Sequence, residues 1–94
     1  MEHRIAAAGE LDIATAPELL RRLDASIDAN PGSAIVIDFG AVTFVDSTGL
    51  GALMVARRRA RTHGGRVGIV NARPAVQMTL QVTGLDKLLL ADAC

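Results

Sequence analysis

The chain has 94 residues with ten basic and ten acidic side chains, half of it is apolar, and Phe39 and Phe44 are its only aromatics. That length fits one domain with a modest core, and the apolar fraction argues against disorder. Zero net charge and two aromatics argue against a nucleic-acid binder, and aliphatic stretches broken at Asp38, Asp46 and Arg57 are too short to span a membrane.

The predicted elements alternate in type. Arg4 to Ala8 is a weak strand, since Ile5 is its only β-branched residue, and Gly9-Glu10-Leu11-Asp12 reads as a strand end and turn. Thr15-Ala16-Pro17-Glu18 opens a helix, with Thr15 and Glu18 spaced for a capping box and Pro17 in the first turn. Leu19, Leu20, Leu23 and Ile27 give that helix its apolar face, and Asn30-Pro31-Gly32 stops it. Ser33 to Phe39 holds the run Ala34-Ile35-Val36-Ile37, which suits a strand buried on both faces. Val42 to Val45 returns briefly to β-type residues. A second helix is predicted from near Ser47 to His63, with Leu50, Leu53, Met54, Ala56 and Ala60 available for burial and Gly64-Gly65 ending it. Val67 to Val70 is the next strand. Pro74 to Thr83 is a third helix closed by Gly84, and Leu88 to Ala91 is a last short strand or helical turn. This alternation predicts a single α/β or α+β domain.

The informative segment runs from Asp38 to Gly51. A β-type run ends in Asp46-Ser47-Thr48-Gly49, and then a helix begins. Free amides and the helix dipole at that point favour an anion, and Gly49 and Gly51 would let another backbone approach the first turn. The same residues are also ordinary helix caps. Enzymatic readings find little here. Val45 stands where a nucleophile elbow needs glycine, and neither His3 nor His63 has a supporting motif. No GxxxxGK[ST] loop is present, so no nucleotide cofactor is implied, and His3, His63 and Cys94 lack metal-ligand spacing. Cys94 has no second cysteine to pair with, and Met1-Glu2-His3 does not open a signal peptide, so a cytoplasmic location is the default expectation.

Charge is unevenly spread. From Met1 to Ala56 there are three basic residues and eight acids, and from Arg57 to Cys94 seven basic residues and two acids, which makes −5 and +5. Arg57, Arg58, Arg59 and Arg61 fan around the second helix without forming one stripe, and Arg58 and Arg59 are expected to face water.

Gly9-Glu10-Leu11-Asp12 with Thr15-Ala16-Pro17-Glu18-Leu19, then Thr43-Phe44-Val45-Asp46-Ser47-Thr48-Gly49-Leu50, resemble the STAS domain of bacterial anti-sigma-factor antagonists. Gly64-Gly65-Arg66-Val67, Val70-Asn71 and Thr83-Gly84-Leu85-Asp86 follow in the same order, so the resemblance covers about 9–90 of a domain expected to span 1–94. It implies a mixed β-sheet with helices mainly on one face and a non-enzymatic, cytoplasmic partner switch. The implied partner is an anti-sigma factor that is also a serine kinase and binds the ATP itself; unphosphorylated, such a domain captures it and frees a sigma factor. The resemblance makes Ser47 the phosphate acceptor, places Asp12 near it, and frames it with Asp46, Thr48 and Gly49. Gly51, Val55 and Arg58 are expected on the solvent side of the second helix. Relatives usually carry another strand before the Gly-Glu-Leu-Asp segment and a further final helix, so both ends look shortened, and a missing first strand would leave a sheet edge open to pairing. The alternative is a STAS-type structural subunit of a lipid-transport or stress-signalling assembly, with Ser47 only a cap.

Overall fold

The computed structural model describes residues 2–90. Seven elements follow one another: β1 (Glu2–Leu11), α1 (Ala16–Ala29), β2 (Ala34–Val45), α2 (Ser47–Thr62), β3 (Arg66–Val70), α3 (Pro74–Thr83) and a short α4 (Asp86–Leu89). The sheet order is β1-β2-β3, and the described strands of the mixed sheet expected above pair in parallel. Both crossovers step the same way across the sheet, so right-handed connections put α1 and α2 side by side on one face. α3 and α4 pack against β2 and β3.

One core fills the space under the helices. Ile35, Ile37 and Phe39 of β2 meet Leu19, Leu23 and Ile27 of α1, Leu53, Ala56 and Ala60 of α2, and Val76 and Leu80 of α3. These are the apolar faces that helical spacing picks out in the sequence.

Three local expectations change. The weak first strand is a ten-residue strand, because it is held along most of its length by its ladder to β2, with register shifts at Ala6/Ala8 and Gly9/Glu10. The run predicted over Ser33 to Phe39, which begins as a strand at Ala34, and Val42 to Val45 are parts of one strand that passes through Gly40-Ala41. No capping box forms at α1. The Thr15 hydroxyl instead donates to the Glu10 carbonyl (2.6 Å) and accepts from the Asp12 N–H (3.0 Å), while Glu18 pairs with Arg21 (2.6 Å). The final segment is both a helical turn and a strand contact: after α4, Leu90 bridges Ile69 in parallel. Ala91 and Cys94 lie outside the described residues.

Arg59 also departs from expectation. It is half-buried and reaches across to α1, pairing with Asp24 (2.7 Å) and Asp28 (2.8 Å). The Asp24 carboxylate, first, and then Asp28 raise the guanidinium's pKa. Part of the charge asymmetry thus joins the acid-rich and base-rich parts of the chain.

Candidate functional site

The site forms where β1 and β2 end together. Glu10 lies opposite Phe44 and Leu11 opposite Val45, and the Asp46 N–H continues the contact by donating to the Leu11 carbonyl (3.1 Å). The chain then turns directly into α2. Asp46 is the N-cap: its carboxylate accepts from the Gly49 N–H (3.0 Å), and its carbonyl accepts the first helical bond from Leu50 (3.0 Å). Ser47 is the first residue of the helix and is exposed, as is Thr48. Because Asp46 does the capping, the Ser47 hydroxyl is not committed to it.

Asp12 follows Leu11, so the same backbone contact brings the two acids to adjacent chain segments. Asp12 is fixed by its own turn, accepting from the Ala14 N–H (2.9 Å) and the Thr15 N–H (3.1 Å). Each acid therefore spends carboxylate lone pairs on backbone amides.

The two glycines part company. Gly49 is buried, and a Cβ there would lie 2.7 Å from the Leu11 carbonyl oxygen and 3.0 Å from its Cβ. Its lack of a side chain lets this chain's own β1 approach α2, and the approach of another molecule is not what it serves. Gly51 faces open space. Ser47, Gly51, Val55 and Arg58 are spaced by four, four and three residues, so they share one exposed helix face, as expected. Val55 is 42% exposed.

Two apolar side chains at this end were not singled out from the sequence. Ile13, in the turn after Asp12, is 77% exposed, and Phe44, three residues before Ser47, is 48% exposed. An isoleucine flanked by Asp12 and Ala14 in a turn is a local signal that could have found the first. Alternation beside buried Val45 could have found the second.

A cluster of three or more His, Cys, Asp or Glu side chains able to hold a metal is absent among the described residues. No helix among them is long and apolar enough to cross a membrane.

A short parallel sheet backed by helices, with an acid-framed serine opening the second helix, defines a STAS-type α/β module. A family model described as "Mlab, STAS domain" matches residues 1–91, and the chain belongs to this family. It is 28% identical over 94 residues to an anti-sigma F factor antagonist of Paenibacillus polymyxa, covering 95% of this chain and 80% of that protein. A crystal structure of an anti-sigma factor antagonist from Mycobacterium paratuberculosis superposes with a TM-score of 0.78 at 35% identity, covering 92% of this chain and 72% of that one. The anti-sigma factor antagonist SpoIIAA in its unphosphorylated form gives a TM-score of 0.79 at 25% identity, covering 93% and 76%.

Proposed function

We propose that this chain is an anti-sigma-factor antagonist that works by partner switching, with Ser47 as its phosphate acceptor. The relatives' activity supports the general reading. The observation that carries the site is the exposed Ser47 hydroxyl beside an Asp46 that already supplies the cap. It disfavours the reading of Ser47 as a cap in a purely structural subunit.

In the unphosphorylated state, the strand-end surface around Ser47, with Ile13 and Val55 as apolar contacts, captures an anti-sigma factor and frees its sigma factor. That partner is a serine kinase and brings the ATP. Its γ-phosphoryl passes to Ser47 Oγ, ADP leaves, and the hydroxyl proton is released. The phosphate adds about −1.5 to −2 charges and three acceptor oxygens. The N-terminal end of α2 tolerates that charge, so the fold is unchanged. Against a partner's surface, however, it crowds Asp46 and Asp12. A desolvated like-charge contact costs several kcal/mol, and about 3 kcal/mol weakens a complex roughly 100-fold.

Incubation with the cognate anti-sigma kinase and ATP, followed by intact mass, tests the acceptor. One added phosphate, lost in Ser47→Ala, is expected; no gain, or a gain that survives the substitution, removes the claim. Binding tests the switch. Ser47→Asp should weaken capture at least tenfold while Ser47→Ala preserves it, and equal affinities would sink the repulsion mechanism.

A further inference from the structure

α2 starts at the end of the sheet where β2 finishes and runs back to where β3 begins. Ser47 and Arg61 are fourteen residues apart along it, about 21 Å at 1.5 Å per residue. The far end of the molecule therefore belongs to a different surface. It holds a groove of about 520 Å³ lined by the first residues of β1 and β2, by β3, by the second half of α2 and by α4. Five cations from four elements line it: Arg4 of β1, Arg57 and Arg61 of α2, Arg66 of β3 and Lys87 of α4. Arg61, Arg66 and Lys87 are exposed and Arg57 is half-buried. Between them the lining is aliphatic, with Val36, Val70 and Leu88.

Among the described residues Arg57, Arg61, Arg66 and Lys87 pair with no carboxylate, while the groove's one acid, Glu2, is bound to its fifth cation, Arg4 (3.1 Å). The described acids elsewhere are mostly committed. Glu18 pairs with Arg21, Asp24 and Asp28 pair with Arg59, and Asp12, Asp38 and Asp46 accept from backbone amides. Glu10 and Asp86 are left. The described acids of a second copy are thus mostly held in contacts of their own, and the occupant that fits this groove is another molecule.

The shape of the site selects the kind of molecule. The basic surface continues over α2 into a second hollow that shares Arg57 and Arg61 and adds Arg58. It is an extended track, longer than one phosphate group needs. It offers no aromatic platform for a base, since Phe39 is buried and Phe44 lies at the other end of β2. Guanidinium and ammonium groups around an aliphatic lining fit carboxylates interspersed with aliphatic side chains. We infer that this groove is a second docking surface, for an acidic protein segment bearing aliphatic residues, and that it works independently of Ser47.

The probe is a fluorescein-labelled twelve-residue peptide in which acidic pairs alternate with single leucines, titrated by anisotropy at low salt. Wild type should bind it, and added salt should weaken the binding. Arg61→Glu/Arg66→Glu and, separately, Lys87→Glu should each weaken it, the double variant at least tenfold; all three positions are exposed, and circular dichroism verifies the fold. Ser47→Asp should leave this affinity within twofold, which separates the outcome from that of the phosphoswitch. Unchanged binding by the charge-reversed variants overturns the inference. Equal affinity for a leucine-to-serine peptide would reduce the site to charge alone. Displacement of the peptide by inorganic phosphate or ATP at micromolar concentration would make it a small-anion site, and equal competition by an oligonucleotide would make it a nucleic-acid surface; each of these also overturns it.

Discussion

The two ends of the sheet use charge in opposite ways. Where the strands finish, Asp12 and Asp46 each accept backbone N–H bonds, so their charge fixes the turn into α1 and the start of α2 while it frames Ser47. Where the strands begin, Arg57, Arg61, Arg66 and Lys87 line a groove without carboxylate partners among the described residues. One end spends charge on geometry; the other leaves it for an outside molecule. A zero net charge therefore describes the sum and neither end. It also means that a phosphate at Ser47 would act on a surface already acidic, about 21 Å along α2 from the basic one.

The ends share one device, a glycine that lets two backbones meet. At the Ser47 end it is Gly49 against Leu11. At the groove end it is Gly65, where a Cβ would run into the Ser33 carbonyl oxygen. Alanine at either position must displace backbone, so each substitution is expected to destabilise by about 1–3 kcal/mol in urea denaturation. Gly51→Ala is the control: it meets open space in a helix and should stabilise by about 0.5–1 kcal/mol. If Gly49→Ala cost nothing, the close contact between β1 and α2 that builds the Ser47 end would be wrong. If Gly65→Ala alone cost nothing, the comparison between the ends would fail at the groove.

A smaller effect separates capping from signalling at the Ser47 end. Asp46→Ala removes the N-cap and should cost about 1 kcal/mol, whereas Ser47→Ala should be nearly neutral in the same measurement. The reverse ranking would make Ser47 the cap and return the residue to a structural role.

Helices were legible in the sequence because their signals are local. α3 matches its predicted range, and α2 is opened and closed by residues that the sequence marks. β1 was understated because its stability comes from pairing with β2 across a crossover, which the composition Ile5-Ala6-Ala7-Ala8 does not reveal. At α1 the Thr15 N–H, which a capping box would give to Glu18, goes to Asp12 as the chain leaves β1. The candidate serine segment was legible as a pattern because Asp46 to Gly49 are contiguous. The groove was not. Read along one helix, the arginines fan out; only the fold brings Arg57 and Arg61 beside Arg66 and Lys87, and turns Arg59 away to α1.

Asp38 lies on β2 between the two ends, opposite Ala6 and Val70, and supplies the smallest test. The Gly40 N–H donates to its carboxylate (2.8 Å), and that bond first, then the nearby Asn71 side chain and the attraction of Arg4, hold its folded pKa below the usual carboxylate value. A lowered folded pKa means that the unfolded chain takes up the proton first as pH falls. The stabilisation is therefore complete above the unfolded value of about 3.9 and disappears as pH drops through the folded one. Asp38→Asn should be less stable than wild type at neutral pH, and the gap should close on acidification below about pH 4. Asp12 and Asp46, whose bonds also go to backbone amides, make this comparison useful. If the Asp38 gap persisted unchanged to low pH, the loss would come from packing, and charge would not be what holds the middle of the sheet.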